Sequence, residues 1–157
     1  MDRCSQGVAF VWFRGGELRD FAIRYVGSEP EKQLAVIEEI LATTQADVLV
    51  LEDWKDARCR RAPDVKRLFS DTAARATAGS IEVGCVAQAE VRDRNRRRGL
   101  KTKEAVAAAV AQSLPELRRL VPARRKAWMS EDPRVNIFDA VSLVLRWLGA
   151  DESNVGR

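Results

Sequence analysis

The sequence predicts an α/β fold in which a mixed sheet, made of an antiparallel hairpin followed by parallel strands, is flanked by helices. A glycine turn between two strand-like segments indicates the hairpin. The aliphatic run Val48-Leu49-Val50-Leu51 is typical of a strand buried on both faces. Segments with helical periodicity separate the strands. Because 157 residues suffice for one core, we expect a single domain over 1–149 and a disordered tail over 150–157.

The first half of the chain is predicted to form two strands, a helix and then the buried strand. Gly7–Arg14 predicts a strand, Gly15-Gly16 a tight turn, and 17–26 the second strand of the hairpin. Pro30 is an early helical proline, and the apolar spacing that follows predicts a helix over Pro30–Thr44.

The second half is richer in helices. A helix is predicted over 63–77 and a strand over 80–87, followed by an arginine-dense loop over 91–99 that is too charged to pack. An alanine-rich helix over 102–112 and a short helix over 113–121 come next. The last helix is predicted between the Asp132-Pro133 start signal and Gly149.

Composition excludes several classes of protein. Charged residues make up 32% and hydrophobic residues 46%, which is typical of a soluble globular chain. No apolar run reaches the roughly 20 residues of a membrane span, and no signal peptide is recognisable, so we expect a cytoplasmic protein that does not bind membranes. Three widely spaced cysteines and no histidine argue against a disulfide framework, a structural zinc site and histidine-based catalysis. An enzyme of this composition must use carboxylates, metals, lysines or cysteines.

Positive charge is concentrated in three segments, 55–67, 92–103 and 118–126. Together they carry a net charge of +15, whereas the whole chain carries +4. This distribution indicates a surface that meets a polyanion, with nucleic acid as the first candidate. The alternative is that the arginines only solvate the surface.

Acidic residues mark a candidate site at two places. Glu52 ends the buried aliphatic strand, where a carboxylate is costly unless a cation such as Mg²⁺ compensates it. Alternatively, the strand simply surfaces there into a solvated loop. Asp139 interrupts an otherwise apolar helix and shares a face with Asn136 and Ser142, so a metal or a hydrogen-bonded network is expected. A neighbouring arginine or hydroxyl could instead satisfy Asp139.

The order of these elements resembles the RNase H-like superfamily, and within it the RuvC-type Holliday-junction resolvases. The stretch from Asn136 to Leu143 is similar to the family's terminal D-x-x-D-A-x-A-L helix, with Asn136 in place of its first aspartate. The segment ending in Glu52 resembles the strand whose terminal glutamate is a metal ligand. Lys103 resembles the basic residue that opens the helix facing DNA, and 7–11 resembles the family's second strand.

One feature departs from the family's pattern. The family has a central first strand that ends in a catalytic aspartate, whereas here only Met1 precedes Asp2. Either Asp2 is that aspartate in a shortened turn, or the first strand lies upstream of Met1. Loss of the strand would weaken the sheet and leave a protein that binds nucleic acid without cutting it.

The resemblance implies a metal-dependent, structure-selective DNA endonuclease that acts on branched DNA in recombination and repair and works as a homodimer. It implies Asp2, Glu52 and Asp139 as catalytic metal ligands for Mg²⁺ or Mn²⁺, expected as two ions, with Asn136 as a weaker ligand. The residues expected to hold phosphates by charge are Arg58, Arg60, Arg61, Lys66, Arg67, Arg94, Arg96, Arg97, Arg98, Lys101 and Lys103. The alternatives are a catalytically inactive nucleic-acid-binding module on this fold and a structural interaction domain.

Overall fold

The computed structural model describes residues 1–4, 7–124, 126, 128 and 130–149, with the backbone alone for residues 2–4. The predicted tail over 150–157 lies outside these residues. The strands are β1 (Asp2–Cys4), β2 (Gly7–Arg14), β3 (Glu17–Tyr25), β4 (Val48–Glu52) and β5 (Glu82–Val86). The helices are α1 (Pro30–Thr44), α2 (Pro63–Ala78), α3 (Gln88–Arg97), α4 (Lys103–Ser113) and α5 (Val135–Trp147), with a 3₁₀-helix over Pro115–Leu120.

The predicted mixed α/β class is confirmed, although the strands form two sheets. β1, β2 and β3 form an antiparallel sheet in that order, and β4 pairs with β5 in parallel. The Met1 amino group donates to the Val50 carbonyl oxygen (3.0 Å), which brings the start of β1 beside β4. The β1 edge of the antiparallel sheet therefore adjoins β4 of the parallel sheet. β1 has only three residues, and among the described residues no strand ladder joins the two sheets.

The predicted hairpin and the helix α1 are confirmed. Gly15 and Gly16 both have positive φ (61° and 83°), the conformation that a two-residue hairpin turn needs, and Arg14 pairs with Glu17 across it. Helix α1 has the predicted bounds. Helix α5 begins at Val135, later than the Asp132-Pro133 signal predicts, because these residues form a turn closed from the Val135 N–H to the Asp132 carbonyl.

The predicted arginine loop over 91–99 is wrong, because most of this segment is the helix α3. Val91 and Asn95 are buried one turn apart, and they anchor one side of the helix. Arginine is a good helix former, so the charged residues occupy the exposed sides without breaking the helix.

Helices cover both faces of the strands. α1 and α2 pack on one face with Ile37, Leu41, Leu68 and Phe69, while α5 crosses the other face and contacts all five strands. Leu49 and Leu51 of β4 join the cluster beneath α1 and α2. The alternate residues of β4, Val50 and Glu52, therefore belong to the face covered by α5. Within the described residues, no helix combines the length and apolar character that crossing a membrane requires.

Gly84→Ala is expected to destabilise the fold by about 1–2 kcal/mol, because an added Cβ would lie 2.8 Å from the Trp147 ring. The cost stays moderate since Trp147 is partly exposed and its ring can shift. Chemical denaturation measures the loss. Glu82→Ala on the same strand is the control, with a change within about 0.5 kcal/mol.

Candidate active site

The predicted acidic residues lie around one cavity. Glu52, Asn136, Asp139 and Ser142 all line a cavity of about 380 Å³ between the end of β4, α3, α4 and α5. The predicted face of Asn136, Asp139 and Ser142 on α5 is thus confirmed. The backbone of Asp2 pairs with Ala9 in β1, but its side chain lies outside the described residues. We call this space the site cavity.

Glu52 is buried, with 3% of its surface exposed, and two side chains of the following loop bind it. Arg61 approaches the Glu52 Oε2 atom with Nε at 2.9 Å and Nη2 at 2.8 Å. The Cys59 thiol donates to the Glu52 Oε1 atom at 3.6 Å. The carboxylate therefore has a cation beside it, which offsets the cost of burying its charge.

The cation beside Asp139 lies farther from its carboxylate than Arg61 lies from Glu52. Lys103 Nζ lies 3.3 Å from the Asp139 Oδ2 atom but only 2.9 Å from Glu131 Oε1, so two carboxylates share one ammonium group. Burial raises the pKa of Asp139 above the usual 3.8, and the attraction to Lys103 offsets this only in part. Burial acts to lower the pKa of Lys103, but Asp139 and Glu131 outweigh it and raise that pKa.

The side chain of Asn136 is held by the backbone just before α5. Its side-chain Nδ2 donates to the Pro133 carbonyl oxygen at 2.9 Å, which leaves the amide oxygen as the acceptor available for a ligand. Asp132, one turn earlier, is bound by Arg134 and does not line the site cavity. The Arg134 guanidinium lowers the pKa of Asp132, so this carboxylate stays ionised beside its partner.

The predicted basic residues divide into two groups. Those lining the site cavity are Arg58, Arg60, Arg61, Arg96, Lys101 and Lys103. Those that do not are Lys66, Arg67, Arg94, Arg97 and Arg98. Arg94 and Arg97 line a separate depression with Glu90 and Arg146. Six of the eleven residues expected to hold phosphates thus line the site cavity. We call four of them, Arg58, Arg60, Arg96 and Lys101, the rim.

Sequence patterns miss three features of the site. Cys59 lies seven residues from Glu52 and belongs to no metal or disulfide pattern. Glu131 comes from the long connection before α5, and no local signal links it to Lys103. Arg61 is predicted to bind phosphate, whereas it binds Glu52; the arginine-rich loop directly after an acidic strand end is the available signal.

The donors available for a divalent cation are few. Among the residues whose side chains are described, no group of three or more Asp, Glu, Cys or His side chains could hold a metal ion. Glu52 and Asp139 are nevertheless two carboxylates facing one space, and Mg²⁺ is commonly held by one or two carboxylates plus substrate phosphates and water. The donor chemistry fits Mg²⁺ when a phosphodiester supplies the remaining oxygens.

Comparisons of the chain with protein-family models, curated proteins and solved structures find no match.

Asp139→Asn is expected to leave the protein equally or more stable at pH 7. A raised pKa in the folded state means that the native protein holds a proton more tightly than the unfolded chain. This group therefore lowers stability as pH rises from 3.8 through the raised pKa, and the amide removes that cost. Thermal melts from pH 3 to pH 7 measure the difference, which should shrink at the acidic end.

The same variant tests metal binding. Mn²⁺ that binds only the folded protein raises its melting temperature, and Asp139→Asn should reduce that rise. A large loss of stability at pH 7, with no Mn²⁺ response in either protein, would remove Asp139 from a metal site.

Proposed function

We propose that this chain is a metal-dependent, structure-selective DNA endonuclease with an RNase H-like architecture. The observation that carries the proposal is that Glu52 and Asp139, from two distant elements, face one cavity with a basic rim. The antiparallel sheet β1–β3 adjoins the parallel pair β4–β5 at Met1, and α5 crosses one face of both sheets, an arrangement that supports the RNase H-like assignment.

The side chains would divide the work of phosphodiester hydrolysis. Glu52 and Asp139, with Asn136 and Asp2, would hold Mg²⁺ or Mn²⁺. When bound, two such ions supply an activated water and stabilise the leaving oxygen. Arg58, Arg60, Arg96 and Lys101 on the rim bind phosphates through charge and position the strand without reading its sequence.

Arg61 and Lys103 also line the site cavity, but they contact its carboxylates. Arg61 neutralises Glu52 and keeps its carboxylate oriented towards the cavity while no substrate is present. The Lys103 ammonium has three N–H donors and contacts two carboxylates, Asp139 and Glu131, so its third donor could bind a phosphate while both contacts remain. In the metal-free protein burial raises the pKa of Asp139, so a bound cation would compete with a proton for this carboxylate.

Branched DNA is the proposed substrate, and a homodimer would place two sites on its two symmetric strands. The test incubates the protein with a four-way junction and, separately, with a linear duplex of the same sequence, in Mg²⁺, Mn²⁺ or EDTA. We expect cleavage of the junction only with metal, and slower cleavage of the duplex. Metal-independent cleavage would contradict the proposal.

One observation favours a second candidate, a catalytically inactive nucleic-acid-binding module. Arg61 already neutralises the Glu52 carboxylate, so the site needs no metal ion to compensate that charge. The site cavity could then bind nucleic acid without cutting it. Salt-sensitive binding of the junction without cleavage in either metal would support this candidate. Absence of both binding and cleavage would contradict both.

The rim residues are expected to dominate DNA binding. A variant with three rim residues neutralised should bind more weakly, and its log–log salt slope should fall by roughly 0.9 for each phosphate that it no longer binds. Titrations at several salt concentrations measure the slope for the variant carrying Arg60→Ser, Arg96→Ser and Lys101→Ser.

The matched control removes the same three charges away from the site cavity. It carries Lys66→Ser, Arg67→Ser and Arg97→Ser, none of which lines the cavity. Its slope should change less than that of the rim variant. Equal slopes would mean that DNA meets the whole basic surface rather than the rim.

A further inference from the structure

Two side-chain amides of α3 lie in the wall of the site cavity without a hydrogen-bond partner. Asn95 is only 6% exposed, and its side-chain amide makes no hydrogen bond to any described residue. The Gln88 Oε1 atom is buried and likewise has no partner there. Both residues line the site cavity, and neither has a part in the metal or phosphate contacts proposed above.

A buried amide without a hydrogen bond destabilises a fold, because the water that it loses on folding is not replaced. Asparagine is also a weaker helix former than alanine or arginine, so α3 gains nothing from Asn95 locally. Native proteins leave few polar groups in this state, and those few call for a further role or an ordered water. The site cavity, which Asn95 lines, is the space from which a partner would approach.

The surface around the two amides is apolar. Val91 lies three residues after Gln88 and four before Asn95, so the three side chains share one face of α3, and all line the site cavity. Leu100 lines the same cavity, and its backbone N–H donates to the Asn95 carbonyl oxygen at 2.9 Å. The α3 side of the site cavity thus combines amides with apolar surface, whereas its carboxylates come mainly from β4 and α5.

This combination matches a nucleobase better than a phosphate. A phosphate offers only acceptor oxygens, so it would leave the oxygen of each amide unpaired, and the cations of the rim already suit it. The edge of a base presents donors and acceptors side by side, and an asparagine or glutamine amide pairs with both at once. The faces of a base pack well on apolar side chains such as Val91 and Leu100.

The position of Asn95 also requires that the base be unpaired. A base pair within a duplex exposes only its edges in the grooves, where protruding side chains read them. Asn95 is instead recessed in the wall of a cavity of about 380 Å³. A base that has left the stack can enter such a cavity, whereas a paired base stays outside it with its partner strand.

We propose that the α3 side of the site cavity binds an unpaired nucleobase of the DNA substrate, with Asn95 as the main base contact and Gln88 as a second. This inference rests on the proposed function, because it takes DNA as the substrate of the same cavity. The rim binds phosphates whatever the sequence. A base held by α3 would add a second point of attachment, and it would fix which phosphodiester of a branched strand faces Glu52 and Asp139.

Binding of four-way junctions that each contain one abasic nucleotide tests the proposal, in EDTA so that no metal-dependent cleavage occurs. The abasic nucleotide is placed at each position flanking the branch point in turn, and at a paired position within an arm. For the parent protein, removal of one branch-point base should weaken binding by about tenfold, as expected for the loss of a good amide–base contact. Removal of a base within an arm should leave binding unchanged.

Asn95→Leu identifies the residue that contacts the base. Leucine has nearly the shape of asparagine but cannot form hydrogen bonds, so this variant should bind the intact junction and the abasic junction equally. Gln88→Leu should reduce the difference between the two junctions without abolishing it. Gln112→Leu is the matched control, because Gln112 is exposed on α4 and does not line the site cavity, and it should keep the full difference.

Thermal melting of Asn95→Leu tests the alternative that Asn95 has only a structural role. Because the Asn95 amide has no partner in the free protein, the variant should melt at the same temperature as the parent or at a higher one. A marked loss of stability would mean that the amide holds the fold together through a buried water, and it would overturn the proposal.

Three binding results would also overturn the proposal. The first is that no branch-point base matters to the parent protein, which would leave water as the partner of Asn95. The second is that Asn95→Leu keeps the difference between the intact and abasic junctions. The third is that bases within the arms matter equally, which would mean that bases are read in a groove of the duplex. Metal-dependent cleavage can occur in all three cases, so the proposed function would stand, whereas failure to bind any junction would contradict both.

Discussion

Glu52→Gln is expected to reduce metal-dependent cleavage of a four-way junction by more than about 100-fold, because a neutral amide is a poorer ligand for Mg²⁺ than a carboxylate. DNA affinity should stay within about twofold, since the rim that binds phosphates is unchanged. Single-turnover cleavage and a binding titration on the same preparation separate the two effects.

Glu82→Gln is the matched control for this prediction. Glu82 is exposed at the opposite end of the parallel sheet, paired in register with Val48, and does not line the site cavity. Its variant should cleave at the normal rate. Undiminished cleavage by Glu52→Gln would remove Glu52 from the mechanism and leave Asp139 without its proposed partner.

Arg61→Ala is expected to destabilise the protein by about 2–4 kcal/mol, because it leaves the buried Glu52 carboxylate without its cation. This destabilisation is smaller than that expected for a fully buried ion pair, because 30% of the Arg61 side chain is exposed. Water can therefore partly replace the guanidinium as a partner of Glu52. Urea denaturation at pH 7 measures the loss.

A double-mutant cycle assigns this loss to the pair. Adding Glu52→Gln to Arg61→Ala should recover most of the stability, because no unpaired charge then remains buried. Arg60→Ala, on the same loop and at the same cavity, should change stability by no more than about 0.5 kcal/mol. If the double variant is as unstable as Arg61→Ala alone, Arg61 stabilises the loop by packing rather than by charge.

Local patterns predict much of the fold. The hairpin, α1, β4 and the buried character of α5 follow from turn glycines, a proline at the start of α1, and apolar spacing within a short segment. The segment of α3 does not, because its composition suggests a solvated loop, while the two residues that anchor it, Val91 and Asn95, are too few to give a periodic signal.

The sequence predicts which acidic residues belong to the candidate site, but it does not predict which cations pair with them. The strand end identifies Glu52, and the apolar helix identifies Asp139, because a carboxylate in either position needs a partner. Which cation fills that need depends on contacts between distant segments. Lys103 meets Asp139 across 36 residues, and no spacing rule within one element predicts such a contact.

The contacts between α5 and strands far away in the sequence affect how the chain folds. α5 is the last described element along the chain, yet it contacts β1 and β2 at the beginning, so its docking closes a loop of more than a hundred residues. Contacts of such high sequence separation slow folding, since loop-closure entropy is lost before they form. During synthesis, the sheets would remain uncovered on one face until α5 has left the ribosome, and both carboxylates would come together only in that final step.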